Sequence, residues 1–333
     1  MTAIIPEVSV IIPVFGSAAY IARCVRSLFG QTLHEMEFIF VDDCTPDDSI
    51  AIIERILHDE YPQRANQVKI IRHSDNRGVA TSRRHGIEAA AGRYIIHCDP
   101  DDWTDNDMYA TMLAEALRSD ADIVICNFVI EHGHRSELSC QRPRSLDRND
   151  IIADICGITP TPLYGSLWNK LIRREIVSPM WFVDGCNYME DAVFLFTLLL
   201  NPGLKTGYCN CAPYHYRQTE GASITTISAS RPQIMADLKM ISHIHSIATH
   251  RDELTVRCIR GLTISLALRA FTAGVFDNEE FKRYYGRYRA YHRILPPKLA
   301  IQLPLLRLAM RGHYRLAYNL YLLPRTIYRS LHQ

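Results

Sequence analysis

Short apolar runs alternate with helical periods along the first hundred residues. Val8-Ser9-Val10-Ile11-Ile12-Pro13-Val14 is rich in β-branched side chains and suits a central parallel strand. It stops at Phe15-Gly16-Ser17. Ile21, Cys24, Val25, Leu28 and Phe29 then share one helical face. Glu37 to Val41 reads as a second strand that ends at Asp42-Asp43. Asp47-Asp48 can cap the next helix, whose stripe is Ile50, Ile53, Ile56 and Leu57. Val68 to Ile71 is a third strand, Gly78 to Ala91 a helix closed by Gly92, and Tyr94 to Cys98 a fourth strand.

This even alternation predicts an α/β fold with an open, mostly parallel sheet flanked by helices. Ligands of such sheets lie beyond the carboxyl ends of the strands. The polar punctuation sits at those ends: Phe15-Gly16-Ser17, Asp42-Asp43, Arg72-His73 and Asp99-Pro100-Asp101-Asp102. Further along, Met108 to Arg118 is predicted helical and Ala121 to Val129 extended. His132 to Arg148 reads as a polar excursion loop. Residues 150–158 and 166–177 are predicted helical, and Glu190-Asp191 opens an apolar helix running to Leu200. Lys205 to Cys211 and Pro213 to Arg217 are predicted extended. After about Ser230 the pattern is helical, broken by Pro296-Pro297, Pro304 and Pro324.

At 333 residues the chain can bury a sizeable core. A formal charge of +1 excludes a general polyanion binder, yet the charge is uneven. From Phe281 to Gln333 there are 11 Lys or Arg and no Asp or Glu. The ten cysteines form no CxxC pair, so neither a zinc ribbon nor a disulfide framework is expected. Met1 to Pro6 lacks the start of a secretory signal, and no run is apolar enough to span a membrane. A reduced, cytoplasmic protein is the expectation.

The densest chemistry lies where a buried strand runs into Asp99, Asp101 and Asp102. Carboxylates this close raise each other's pKa unless a cation or hydrogen-bond donors neutralise them. Mg²⁺ or Mn²⁺ carrying phosphate oxygens would do so. A solvated Asp-Pro-Asp turn before a helix is the plainer alternative.

Taken together, six segments resemble the inverting family 2 glycosyltransferases of the GT-A fold. They are Val8 to Phe15, Phe40-Val41-Asp42-Asp43-Cys44-Thr45, Asn76 to Arg83, Asp99-Pro100-Asp101-Asp102, Leu167 to Arg174, and Tyr188-Met189-Glu190-Asp191. The resemblance implies a Rossmann-like catalytic domain over residues 1–225. Residues 8–105 would form its nucleotide-sugar half and 106–225 its acceptor half. Residues 226–333 would add a helical, basic extension.

Roles follow by resemblance, position by position. Pro13, Val14 and Phe15, with Ser17 in the same loop, would run along the nucleotide. Asp43 would read the uracil edge with Asp42 beside it; otherwise the pair caps a turn. Arg83 matches an arginine near the diphosphate, because a guanidinium fork suits phosphate. Arg84 stands where the family usually has asparagine, which leaves open which arginine faces the ligand. Asp99 or Asp101 would address the donor sugar or ribose, and Asp101 or Asp102 would hold Mn²⁺ or Mg²⁺. Asp191 matches the catalytic base and Glu190 a neighbour that orients it. Otherwise both simply favour the positive end of a helix. Trp168, Asn169 and Lys170 fall on the acceptor side, with Trp168 equally suited to the core. His215, Tyr216 and Arg217, with Ser223, fall where a returning segment would meet the diphosphate.

The expectation is a metal-dependent enzyme moving a hexose or N-acetylhexosamine from a UDP-sugar to a growing glycan or lipid-linked acceptor. Bacterial surface polysaccharide is the implied setting. The cationic, tyrosine- and leucine-rich tail over 281–333 suits an anionic membrane surface, or a helical hairpin packed on the catalytic domain. No known nucleic-acid module accompanies the charge. Two rivals remain: a nucleotide-sugar-binding protein without catalysis, and a phosphatase using an Asp-x-Asp pair. The latter usually places that pair after its first strand, whereas here it follows the fourth.

Overall fold

The structure, a computed structural model, describes residues 6–159, 163–218, 229–247, 252–291 and 302–331, with side chains to residue 323 in the last segment. Ser223, Pro296 and Pro297, the first five residues and the side chain of Pro324 lie outside the described parts. The chain divides into two compact units. One is Met1–Ile151 with Leu163–Ser223; the other is Ile152–Pro162 with Ile224–Gln333.

The first unit is built on a nine-stranded sheet. β1 (Val8–Val14), β2 (Met36–Asp42), β3 (Val68–Arg72) and β4 (Tyr94–His97) are parallel, in the spatial order β3-β2-β1-β4. Every residue of β1 is buried, as its unbroken apolar run requires. α1 (Ile21–Phe29) lays its five predicted apolar residues on one face of this sheet. α2 (Ser49–Asp59) and α3 (Val79–Ala89) complete the alternation. Val14 pairs with Asp42, Asp42 with Arg72 and Ile11 with His97. Those registers bring the ends of all four strands to one rim.

Beyond that half the sheet is mixed. β5 (Trp103–Thr104) and α4 (Met108–Ser119) follow, then β6 (Ile123–Glu131). The predicted excursion loop contains a short strand, β7 (Ser136–Ser139), paired antiparallel with β6. The helix expected over 166–177 is not formed. Lys170–Arg173 is β8, inserted antiparallel between β4 and β6, and a single 3-10 turn follows it. The helix-like spacing of Leu167 and Leu171 yielded to backbone pairing between two buried strands, a tertiary override of local pattern. α5 (Arg148–Ile155) and α6 (Glu190–Leu199) stand close to expectation. The two extended stretches near 205–217 form one strand, β9 (Thr206–Arg217), parallel to β6 and antiparallel to β5.

The second unit is helical: α7 (Arg231–Ile247), α8 (Glu253–Ala273), α9 (Asn278–Tyr285), α10 (Gln302–Leu308) and α11 (Tyr314–Leu331). Phe271, Phe281 and Tyr314 build its aromatic centre, with the Phe281 and Tyr314 rings 4.7 Å apart. Asp237, almost fully buried, is neutralised by Arg269 at 2.9 Å.

α3 can approach β1 only because position 86 carries no side chain. A Cβ on Gly86 would lie 2.3 Å from Ile11 Cγ2. Gly86→Ala is expected to lower stability by about 1–3 kcal/mol through overpacking, measured by urea unfolding. An unchanged unfolding midpoint would refute the close contact.

Candidate active site

The rim gathers the acidic loops, and each carboxylate has a different environment. Asp42 is half-buried and its Oδ1 accepts the Thr45 N–H at 2.9 Å. Asp43 is buried and held by three donors. Its Oδ1 takes His73 Nδ1–H and the Arg77 N–H, both at 2.8 Å, and its Oδ2 takes the Gly78 N–H at 2.8 Å. His73 Nε2 meets His85 Nδ1 at 2.8 Å, which extends the chain to half-buried His85. Burial and the neighbouring His73, Arg84 and Arg77 lower the His85 pKa, against Glu88. No sequence motif announced this Asp-His-His line; the histidines lie on β3's exit and on α3.

Pro13 and Val14 are buried in β1, whereas Phe15 beyond it is 50% exposed. Gly16 turns the loop with φ +64 and its N–H bonds Thr45 Oγ1 at 2.8 Å. Ser17 is buried, its N–H on Ser49 Oγ. Asp47 braces the same loop by accepting the Ala18 N–H at 2.8 Å and the Ser49 hydroxyl. Those donors outweigh its desolvation and hold its acid down to about 2.

The two arginines of α3 diverge. Arg84 reaches Asp184 at 2.7 Å, in the loop before α6. Arg83 turns inward and is 4% exposed. One end of its guanidinium bonds Glu190 and the other bonds Asp99 at 3.0 Å, while its Nε–H is buried without a partner. The start of α6 is thereby tied to the acidic loop after β4. Asn187 adds a second tie by accepting the Ala80 N–H at 3.2 Å.

One guanidinium faces three carboxylates here, so negative charge is in excess. Burial pushes Glu190 up to about 7, with Arg83 opposing and Asp191 adding to the rise. Asp191 is also raised, by desolvation against Arg83 and then by Asp99. Asp191 is half-buried, and its Oδ1 accepts only the adjacent Ala192 N–H among the described residues. Met189 just before the pair holds φ at +60, a conformation unusual for a side chain of that size.

Asp101 and Asp102 differ sharply. Asp102 is 1% exposed, with Oδ2 on the Tyr214 hydroxyl at 2.6 Å and Oδ1 on the Arg217 N–H at 2.7 Å. The Tyr214 oxygen also accepts the Asp99 N–H at 3.2 Å, so one tyrosine pins both ends of the acidic loop. Asp101 is exposed and makes no side-chain ion pair or hydrogen bond to another residue among the described ones. Partial loss of hydration, then the Asp99 charge, pushes its acid up to about 6. Among the described residues no group of three Asp, Glu, His or Cys is gathered to hold a metal ion. Asp101 alone fits a hard cation that draws its other oxygens from phosphate and water.

Trp168, Asn169 and Lys170, expected on the acceptor side with Trp168 equally suited to the core, are all buried. Trp168 stacks on Tyr214 at 4.4 Å and Tyr216 at 5.6 Å. Asn169 donates to the Cys126 carbonyl. The Lys170 ammonium is ringed by the carbonyls of Tyr164 and Ser166 and by Asn169 Oδ1, at 2.7–2.8 Å. Burial lowers its pKa to about 7, against the attraction of Asp191. These residues set the loop rather than face solvent. His215 is likewise engaged, stacked on Trp103 at 5.1 Å and bonded to Glu131 at 2.8 Å. The opposite face of Trp103 carries Arg23. Arg217 lies over Tyr20 at 3.5 Å.

A parallel half-sheet with an acidic loop after its fourth strand, tied to a carboxylate pair on a later helix, is the GT-A arrangement. The S. aureus TarS 1–349 crystal structure in complex with UDP-GlcNAc has this fold, with TM-score 0.65 and 18% identity over 95% of this chain and 91% of that one. GalNAc-T7, crystallised with UDP, GalNAc and Mn2+, matches with TM-score 0.52 and 16% identity over 85% of this chain and 55% of its own. The chain belongs to Glycosyl transferase family 2, whose profile matches residues 9–178. The Bacillus subtilis protein described as uncharacterized glycosyltransferase EpsJ is 31% identical over 57% of this chain and 55% of its own length. The B. subtilis minor teichoic acid biosynthesis protein GgaB is 27% identical over 65% of this chain and 23% of its length. The chain thus spans only part of these relatives.

Arg83→Met would strand the buried Glu190 and the half-buried Asp99 without a counter-charge. It is expected to cost about 3–5 kcal/mol at pH 8. At pH 5 the cost should shrink, because Glu190, raised to about 7, is then protonated and no longer needs the guanidinium. Urea unfolding at both pH values measures this, and equal losses would contradict the pairing. Adding Glu190→Gln to Arg83→Met should restore part of the pH 8 loss.

Proposed function

We propose that this chain is a metal-dependent, inverting glycosyltransferase. It moves a hexose or N-acetylhexosamine from a UDP-sugar to a growing glycan carried on lipid, in bacterial surface polysaccharide synthesis at the inner face of the membrane. The observation that carries the reading is the division of labour at the start of α6. Glu190 is bonded to Arg83, while Asp191 beside it is half-buried and accepts only the adjacent Ala192 N–H among the described residues. Family membership supports transfer chemistry, and the UDP-GlcNAc held by TarS supports the donor class. The teichoic acid biosynthesis relative supports the setting.

Each residue then has a task. Phe15, exposed on the rim, offers a ring face to the base. Asp43 already accepts three donors, and its remaining lone pair suits one ring N–H, as uracil has. Asp42 borders the same edge. Asp99, oriented by Arg83, serves the ribose or sugar hydroxyls. Asp101 would hold Mn²⁺ or Mg²⁺, which would supply positive charge for the leaving diphosphate. Asp102 keeps this loop in place through Tyr214 and Arg217. Asp191 takes the proton of the acceptor hydroxyl as that oxygen attacks the anomeric carbon. A single displacement inverts that carbon.

Two measurements test this. Asp191→Asn is expected to retain UDP binding while lowering transfer by about 10²–10⁴-fold, followed as UDP release with a panel of UDP-sugars and acceptors. Near-normal transfer would remove Asp191 from the mechanism. In the same assay Asp101→Asn should abolish stimulation by Mn²⁺, whereas Asp102→Asn should chiefly lower the unfolding midpoint. The acid limb of the rate profile should lie above the ordinary carboxylate range, because Asp191 must ionise and its pKa is raised.

A further inference from the structure

α11 is apolar on two sides, and only one of them is packed. Tyr314 and Ala317 are buried, and the Tyr318 and Tyr321 rings lie against Phe271. On the opposite side Leu316, Leu320 and Leu323 are 55%, 40% and 49% exposed. Steps of four and three place these leucines in one stripe along the helix. A helix that has already buried one face should present polar residues on the other, so folding of this unit does not account for the stripe.

The charge on this stretch of sequence has one sign. Arg311 and Arg315 are exposed near the start of the stripe. The sequence from Phe281 to Gln333 holds 11 Lys or Arg and no acidic residue. No described helix is long and apolar enough to cross a membrane. An apolar row bordered by the exposed Arg311 and Arg315 suits a helix lying in the interface of an anionic bilayer, with the exposed Asp277 and Glu279 of α9 confined to the end where the Arg315 N–H meets Asn278 Oδ1. A second copy of this chain would cover the leucines but would bring like charges together.

We propose that α11 docks the protein on anionic phospholipid, with Leu316, Leu320 and Leu323 entering the acyl boundary and Arg311 and Arg315 meeting headgroup phosphates. This rests on the glycosyltransferase reading only for its purpose, access to a lipid-linked acceptor.

The test is flotation of the full chain with vesicles of phosphatidylcholine alone or mixed with phosphatidylglycerol. The native chain is expected to float with the mixed vesicles and to stay behind with phosphatidylcholine. L316Q/L320Q/L323Q should reduce flotation by at least about tenfold, and R311Q/R315Q should weaken it and flatten its salt dependence. Urea unfolding of each variant confirms that the fold is kept. A native chain that never floats, or a triple-leucine variant that floats equally, overturns the proposal. So does sedimentation showing a native dimer that the triple variant dissolves, without flotation. Transfer to a water-soluble acceptor, measured without vesicles, separates the two readings: flotation without transfer sinks the enzyme assignment alone, and transfer without flotation sinks the docking alone.

Discussion

The site depends on one buried guanidinium. Arg83 comes from α3 in the parallel half, and its two ends grip carboxylates from different parts of the chain, Asp99 after β4 and Glu190 at the start of α6. Ninety-one residues separate those carboxylates in sequence. Removing such a charge from water is costly, and only charged partners with good geometry offset the cost. The contact therefore demands a specific arrangement of three elements rather than general compactness. Gly86, three residues on, lets the same helix settle against β1, so the packing of α3 and its ionic reach are set together.

Neutralisation by one arginine is incomplete, and the remainder has a use. Glu190 and Asp191 both sit above the ordinary carboxylate range for reasons of burial and crowding. Asp101 is raised as well, while Asp47, rich in hydrogen-bond donors, is held low. Asp102 has donors from Tyr214 and Arg217 on both oxygens, yet burial and then the Asp99 and Asp101 charges raise it well above its ordinary value, so desolvation outweighs donor supply there.

The parallel half was legible because its signals are local. Val8 to Val14 has to be buried on both faces, and the face Ile21, Cys24, Val25, Leu28, Phe29 has to pack on it. The acidic loops could be placed on the rim from strand polarity alone. Residues 166–177 were not legible in that way. β8 exists because β4 and β6 each present an open edge to it, a fact about neighbours distant in sequence. The same limit applies to Trp168, Asn169 and Lys170, whose chemistry suggests a binding surface but whose partners are internal. Asp101 and Asp102 look alike in sequence; Tyr214 and Arg217, more than a hundred residues away, distinguish them.

The line from Asp43 through His73 to His85 constrains where hydrogen atoms reside. A carboxylate can only accept, so His73 must present Nδ1–H to it. In the neutral form of that ring Nε2 is a lone pair and His85 must offer its own Nδ1–H, whereas in the imidazolium form Nε2–H donates to His85 Nδ1. For the neutral form the outermost nitrogen of the line is His85 Nε2, a basic atom. A buried acid on the rim is in this way wired to a tautomer choice made nearer the protein's surface.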